Sequence, residues 1–426
     1  MDVGIIGGGG HVGLPTGLVL AESGFSVTLI DTDAERLETI EDGVMPFTEE
    51  GGEEMLTSVL DAGRLSTTTD VEAIAECDVV MIVIGTPIDE HHNPEMENLL
   101  GVVDAMEPHL SEDQLVLLRS TIYPGTTKLV RNRLEEIGFT VGEDIFLAFV
   151  PERVTQHRAL DEIVSLPQLV GAFDEASGDR AEALFESVIE ADCHRLTPAE
   201  AELGKLFTNM WRYLTFAAAN EFYLIADSFS THHEVNIHRI IEKTSENYPR
   251  FDVPSPGANV GGPCLTKDGW FLVDNIPYNE LVSAAFQINE GMPAQLIDKL
   301  STIAPDPDRV GVLGMTFKAN SDDTRNSVAF KFRKQLRMNG YDDVVEIEPN
   351  CEGFDDWEDL EGVDWLVLMT PHDEFKDLNQ IAQYVDNPDC VVSDSWGLWD
   401  VSYETDQNGW FRLEELRPRD KQTEAT

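Results

Sequence analysis

Apolar residues recur along this chain in short blocks of strand length, separated by segments with helical spacing. The first block is Val3-Gly4-Ile5-Ile6. A helical stretch from Leu14 to Ser23 follows, and then a second block, Val27-Thr28-Leu29-Ile30, that ends at Asp31. Cys77–Ile84 leads into Gly85-Thr86-Pro87, Leu115–Leu118 into Arg119-Ser120-Thr121, and Ile145–Val150 into Pro151-Glu152-Arg153. Apolar runs of strand length separated by helical segments predict a parallel sheet. Ligands of such sheets collect beyond the carboxyl ends of the strands, where Thr86, Thr121 and Glu152 stand.

From Thr197 to about Asn289 the texture becomes helical. Thr197-Pro198-Ala199-Glu200 predicts a helix start, with threonine as the cap and proline at the first position. The run onward to Phe229 has few breakers, so it reads as one helix long enough to span domains or form a subunit interface. After Pro305-Asp306-Pro307, strand blocks return at Val310–Gly314, Asp364–Met369 and Cys390–Asp394. The expected class is α/β: two Rossmann-like parallel-sheet domains joined by a long central helix and a helical dimerisation domain. The expected boundaries are 1–195, 196–300 and 301–416, with 417–426 as a flexible tail.

Charge sharpens this picture. The 426 residues include 80 Asp and Glu against 29 Lys and Arg, a formal net charge of −51. The acids are scattered among periodic apolar segments, which predicts an acidic coat on a folded protein rather than disorder. Such a field repels nucleic acid and anionic membrane, so neither is expected as a partner. We read it as adaptation to a high-salt cytoplasm, as in halophilic archaea. The five cysteines are odd in number and widely spaced, with no pattern for zinc. Cys77 and Cys390 flank strand blocks and read as core thiols. No apolar run reaches the ~20 residues of a membrane helix, and Met1-Asp2-Val3 passes directly into a strand. No signal peptide and a cytoplasmic location are therefore expected.

Two glycine-rich segments carry the candidate chemistry. Gly8-x-Gly10-x-x-Gly13 lies between the first strand block and the first helix. In a βαβ unit the first two glycines allow a tight turn and close approach of a pyrophosphate, and the third allows close helix packing. Phosphate then sits on helix N-terminal amides. Asp31, ending the second strand, would accept bonds from a ribose 2′-hydroxyl and repel a 2′-phosphate, which favours NAD over NADP. Arg36 is the nearest cation. The second segment, Pro256-Gly257-Ala258-Asn259-Val260-Gly261-Gly262-Pro263-Cys264, is followed by Lys267 and Asp268. Glycines let backbone approach a substrate, and a nearby cation favours the reactive thiolate.

Three further groups complete a pattern: Arg119-Ser120-Thr121-x-x-Pro124-Gly125-Thr126-Thr127, Glu202-x-x-Lys205-x-x-x-Asn209, and Gly314-x-x-Phe317-Lys318-x-Asn320-x-Asp322-Asp323-x-Arg325-x-Ser327. In this order, and over essentially the whole chain, the sequence resembles the UDP-glucose/GDP-mannose dehydrogenase family. The resemblance implies an NAD-dependent, four-electron oxidation of a nucleotide sugar's C6 alcohol to a carboxylate. It implies Cys264 as the nucleophile that traps the aldehyde, Lys205 as stabiliser of oxyanion charge and Asn209 as its orienting partner. Asp268 and Glu152 position or deprotonate the hydrolytic water, which Thr121 helps to hold. The implied cofactor contacts are Gly8, Gly10, His11, Val12, Gly13, Asp31, Arg36, Thr86, Pro87, Thr121 and Lys267. For the UDP-sugar they are Glu152, Arg153, Val154, Lys205, Asn209, Arg250, Gly261, Phe317, Lys318 and Arg325. No metal is expected. The assembly implied is a homodimer, with Arg250 reaching across it to substrate. Asn320, Asp322 and Asp323 read as turn-forming.

The chain also departs from the family pattern. His11 stands where tyrosine is usual, and Asn259 replaces a glycine, asparagine being tolerant of left-handed backbone. Pro263 precedes Cys264, and Gln156 occupies the place of a second acid found in the UDP-glucose branch. Pro151-Glu152-Arg153-Val154 and the fourteen-residue spacing from Arg250 to Cys264 are closer to the UDP-N-acetylhexosamine branch. UDP-N-acetylmannosamine or UDP-N-acetylglucosamine is therefore the expected substrate, with UDP-glucose as the alternative. A non-catalytic homologue would have lost Cys264, Lys205, Asn209 or Asp268. A two-electron hydroxy-acid dehydrogenase would yield one NADH per substrate, not two.

The charge yields a first prediction. Screening length falls from about 10 Å at 0.1 M salt to about 3 Å at 1 M, which removes much of the repulsion between separated surface acids. Melting temperature and activity should both rise steeply from 0.1 M to molar KCl. A melting temperature flat across that range contradicts the salt adaptation.

Overall fold

The computed structural model describes residues 1–86, 95–230, 232–273, 277–303, 307–399 and 408–413. Pro87 and the tail 417–426 lie outside the described residues. The chain divides into two compact units, 1–208 with 267–277 and 209–266 with 278–426.

In the first unit the strands are β1 Asp2–Ile6, β2 Ser26–Ile30, β3 Leu65–Thr68, β4 Val79–Ile82, β5 Leu115–Leu118, β6 Phe146–Phe149, β7 Gln168–Ala172 and β8 Cys193–Leu196. They form one sheet in the order β3-β2-β1-β4-β5-β6-β7-β8. Each pairing from β3 to β6 is parallel. Every residue of β4, β5 and β6 is buried, which is why these strands read as unbroken apolar runs. The expected parallel sheet needs one correction: β7 pairs antiparallel to β6, and β8 runs with β7. β8 reads Cys-His-Arg-Leu and is nowhere fully buried, so no apolar run announced it.

The second unit contains β9 Arg309–Leu313, β10 Asp343–Ile347, β11 Trp365–Leu368, β12 Val391–Ser393 and β13 Trp410–Arg412, in the order β10-β9-β11-β12-β13. All pairs are parallel except β12 with β13. Trp365 anchors the core here. It is fully buried, meets Phe332 edge-on at 5.7 Å, and donates its indole N–H to Ser393 Oγ at 3.0 Å.

The long helix runs from Pro198 to Ser230, as the capping signal at Thr197 predicted. Its start is a reciprocal cap. The Thr197 N–H donates to Glu200 Oε2 at 2.9 Å, and the Glu200 N–H donates to Thr197 Oγ1 at 3.4 Å. Shorter helices follow at Ile237–Ser245, Asp268–Val273 and Glu280–Ile303. Between the first two of these, residues 246–267 are non-helical, because prolines and glycines crowd that stretch. Cys264 sits there. Among the described residues no helix is long and apolar enough to cross a membrane.

One buried carboxylate fixes the start of the long helix. Glu202 accepts the N–H of Gly125 at 2.6 Å, the N–H of Thr127 at 2.8 Å and the hydroxyl of Thr127 at 2.6 Å. It thus caps the helix Thr126–Glu136, whose N-cap residue Gly125 has no side chain to do so. Lys205, one turn further on, is tied through Glu202 to the loop that follows β5.

Candidate active site

The glycine turn after β1 is built for close approach. A Cβ on Gly13 would stand 2.2 Å from the Gly7 carbonyl oxygen, so only glycine lets the first helix, Gly13–Glu22, start there. Val12 caps that helix without a side-chain hydrogen bond, and its first turn contains no acid despite the chain's 80 acidic residues. A helix N-terminus with no side-chain cap and no acid in its first turn fits a pyrophosphate. His11 stacks on Phe47 with ring centroids 4.2 Å apart, beside this turn. Asp31 follows β2 and accepts the N–H of Gly9 at 3.0 Å and that of Asp33 at 3.2 Å. Arg36 lays its aliphatic carbons over Gly9 and pairs with Asp33 at 3.3 Å.

At the next strand ends, Thr86 is buried and donates its hydroxyl to the carbonyl of Thr121. Lys267 Nζ donates to the Thr86 carbonyl and lies 3.3 Å from its hydroxyl. The fold therefore brings together Thr86, Thr121 and Lys267, three of the sequence-predicted cofactor residues. Asp268 begins the next helix and is fully buried.

Glu152, just after β6, is buried and held on both oxygens. Oε1 accepts the N–H groups of Arg153 and Val154 at 2.6 and 3.0 Å, and Oε2 pairs with the Arg119 guanidinium. Arg119 is fully buried; it also donates to the Val150 carbonyl at 3.3 Å and lies 4.9 Å from the Phe185 ring centroid. Sequence reading gave Arg119 no role, although an arginine at the end of an apolar strand in so base-poor a chain was a usable signal. Arg153 turns its guanidinium onto the Pro167 carbonyl, and burial holds it below its ordinary value.

In the second unit, Asn209 is buried on the long helix, one turn after Lys205. Asn220 accepts the N–H of Gly257 at 2.8 Å and so anchors the start of the cysteine loop. Asn259 corrects an expectation. It is absent from the left-handed residues of this loop; Gly262, at φ +98°, takes that conformation. The value of Asn259 lies in its side chain. The two N–H groups of the amide are shared among the Thr316 carbonyl, Ser327 Oγ and Thr370 Oγ1, which lie at 2.8 to 3.0 Å, and its oxygen accepts the Val328 N–H at 2.7 Å.

Gly261 and Gly262 are packed against the segment that carries the predicted diphosphate residues. A Cβ on Gly261 would meet the Asn326 carbonyl at 2.6 Å, and one on Gly262 the Phe317 ring at 2.6 Å. Cys264 follows them and is exposed. Within this unit Arg325 is a cation within electrostatic reach of Cys264. Asp323 first, and Cys264 more weakly, push the Arg325 guanidinium above its ordinary value. Sequence spacing pointed to Lys267 as the local cation and could not show this one. Arg325 grips Asp323 through Nε at 2.9 Å and Nη2 at 2.6 Å. Arg250 is exposed and bonds through Nε to the Tyr248 hydroxyl at 3.2 Å. Among the described residues no group of three or more His, Cys, Asp or Glu side chains is arranged to hold a metal ion.

Comparison with known proteins identifies the family. Three models of the UDP-glucose/GDP-mannose dehydrogenase family match: the NAD binding domain over residues 1–189, the central domain over 199–291 and the UDP binding domain over 311–401. The UDP-N-acetyl-D-mannosamine dehydrogenase of Pyrococcus horikoshii is 33% identical, over 87% of this chain and 89% of the relative. The solved UDP-D-ManNAc dehydrogenase structure from that organism superposes with a TM-score of 0.84 at 32% identity, covering 90% of this chain and 93% of the other. The UDP-N-acetyl-mannosamine dehydrogenase structure from Staphylococcus aureus gives 0.83 at 26% identity, covering 94% and 96%.

The Asp31 geometry predicts cofactor preference. A 2′-phosphate would face a carboxylate already set by two backbone amides, while Arg36 is engaged by Asp33. We expect kcat/KM with NAD to exceed that with NADP by about tenfold or more, a difference of ~1.4 kcal/mol or above. A preference for NADP contradicts the assignment.

Proposed function

The chain belongs to the UDP-glucose/GDP-mannose dehydrogenase family of NAD-dependent nucleotide-sugar dehydrogenases, and we propose on that premise that it oxidises UDP-N-acetylmannosamine at C6 to the uronate. The observation that carries the mechanism is the contrast among the five cysteines. Burial, first among the causes, pushes Cys77, Cys193 and Cys351 up to about 11 and Cys390 up to about 12. Cys264 alone is exposed, at the end of a loop whose glycines are pressed onto Phe317 and Asn326. A thiol that must meet substrate needs that setting, and the other four do not have it.

Bound NAD supplies the chemistry of hydride acceptance, once per oxidation. The protein's own groups do the rest. After the first oxidation the Cys264 thiolate adds to the C6 aldehyde, forming a C–S bond and a thiohemiacetal. Loss of hydride from that carbon, and of the proton from its hydroxyl, leaves a thioester. Water then adds to its carbonyl, the C–S bond breaks, and the thiol and a carboxylate are released. In this reading Lys205, with Asn209 orienting it, stabilises the oxyanion. Asp268 takes the proton from water, and Thr121 helps to hold that water. Glu152 has both oxygens engaged by Arg119 and two amides, which supports a positioning role for it rather than proton abstraction. Lys318 and Arg325 are proposed to meet the diphosphate.

Two features support the finer claims. The relatives named above are UDP-N-acetylmannosamine dehydrogenases, and Arg153-Val154 follows Glu152 as that branch's wording requires. For a homodimer, the long helix leaves Trp211, Phe222, Ile225 and Phe229 exposed at 38% to 67%, with spacings of eleven, three and four residues that keep them near one face. An apolar row of that kind on so acidic a protein reads as a subunit interface.

In an assay over UDP- and GDP-sugars in molar KCl, UDP-N-acetylmannosamine should give two NADH per sugar oxidised. Cys264→Ser should abolish that full turnover while NAD and UDP-sugar binding stay within about twofold, a change of less than ~0.5 kcal/mol. Wild-type NADH production by Cys264→Ser rules out the covalent route, and a yield of one NADH rules out the four-electron reaction. Sedimentation equilibrium in the same buffer should report twice the chain mass; a monomer at micromolar concentration contradicts the dimer.

A further inference from the structure

A buried polar cluster at the carboxyl ends of β9, β10 and β11 joins three loops of the second unit, and the chemistry above uses none of its central members. Glu348 follows β10 and His372 follows β11; both side chains are fully buried. Glu348 Oε2 accepts the N–H groups of Met315 and Thr316 at 2.7 and 3.0 Å, and Oε1 accepts that of Asn350 at 3.0 Å. Three backbone donors on one carboxyl group fit its ionised form. His372 Nε2 lies 3.1 Å from Glu348 Oε2 and 3.0 Å from Thr316 Oγ1.

The other ring nitrogen identifies the tautomer. His372 Nδ1 is 2.9 Å from the backbone nitrogen of Asn320 and 3.0 Å from Asn350 Nδ2. A backbone N–H only donates, so Nδ1 carries no proton. The single proton of a neutral imidazole is then on Nε2, aimed at the Glu348 carboxylate. Asn320 is left-handed, at φ +55°, in the middle of the loop that carries Lys318 and Arg325. A non-glycine residue persists there only when its surroundings over-determine it. They do: His372 Nδ1 takes the Asn320 N–H, and Asn320 Oδ1 accepts the Asp373 N–H at 2.9 Å. The loop is closed beyond this turn by the Phe317 N–H on the Asp323 carbonyl at 3.1 Å.

We propose that His372, as its neutral Nε2–H tautomer braced by Glu348, is a positioning residue for recognition of a nucleoside diphosphate. It holds Asn320 in the left-handed turn and thereby sets Lys318 and Arg325 to receive the two phosphates. The inference rests on the reading of this loop as the nucleotide-sugar site.

Two substitutions separate the ring's two nitrogens. Asparagine puts a carbonyl oxygen where Nδ1 stands, and glutamine puts an amide nitrogen where Nε2 stands. Calorimetric titration with UDP alone, on wild type, H372N and H372Q, reads the effect directly, with melting curves showing that each variant is folded. H372Q orphans the Asn320 N–H and should weaken UDP binding about tenfold. It should raise KM for the nucleotide sugar by a similar factor, with kcat and KM for NAD unchanged. H372N should restore UDP affinity to within about threefold of wild type. Asn320→Ala is on an exposed turn and tests the same link without touching the core; it too should weaken UDP binding. Wild-type UDP affinity in both H372Q and Asn320→Ala, or equal losses in H372Q and H372N, overturns the proposal. A wild-type protein that binds no UDP overturns the reading of the loop itself.

Discussion

Buried carboxylates that receive backbone N–H groups hold the loops on which the site is built. Parallel strands end in turns whose amides have no partner in the sheet, and helices begin with amides that have none in the helix. Leaving one such amide buried and unpaired costs about 1–3 kcal/mol, and a charged acceptor bonds more strongly than a neutral one. Glu202 closes the helix after β5, Glu152 the turn after β6, and Glu348 the turns after β9 and β10. Glu49 does the same for the helix Ala159–Ser165, accepting the N–H groups of His157 and Ala159. The first turn of the helix Gly13–Glu22 has no acid, and there an outside anion can take the amides instead.

The two sheets use one solution twice. In each, the second strand lies beside the first and the third lies on its other side, as β2-β1-β4 (around the insertion of β3) and β10-β9-β11. An acid just past the second strand then reaches the turn that follows the first. Asp31 takes the N–H of Gly9, and Glu348 takes those of Met315 and Thr316. Asp31 remains half-exposed, where a ribose could reach it, while Glu348 is buried under His372. Position in the topology is shared; burial separates a half-exposed carboxylate from an internal brace.

The scarce cations are placed with comparable economy. Arg119 is spent inside the first unit on Glu152, and Arg325 in the second on Asp323. Lys267 is held at Thr86, at the carboxyl end of β4. A chain with 29 basic residues against 80 acidic ones holds each of these three cations in place by a named partner.

Local pattern alone determined the strands β1, β2, β4, β5, β6, β9, β11 and β12, the long helix and its Thr197 cap, and the glycine turn with Asp31. Strands buried on both faces and helices with capping residues write their structure into consecutive positions, so short-range spacing is sufficient. β8 and the mixed β3 and β10 lacked continuous apolar runs, and the places of β7 and β13, which do have short ones, emerged only from pairing. Which of the 80 acids are structural was equally invisible, because a carboxylate that caps a distant amide looks in sequence like one that faces solvent. Tertiary structure decided that Glu202, Glu152 and Glu348 lie inside, that Arg325 comes within electrostatic reach of Cys264, and that Asn259 acts through its side chain rather than a left-handed backbone. Those facts depend on contacts between residues up to 111 positions apart, and burial, which turns an ordinary charge into a strong and specific one, exists only once the chain has folded.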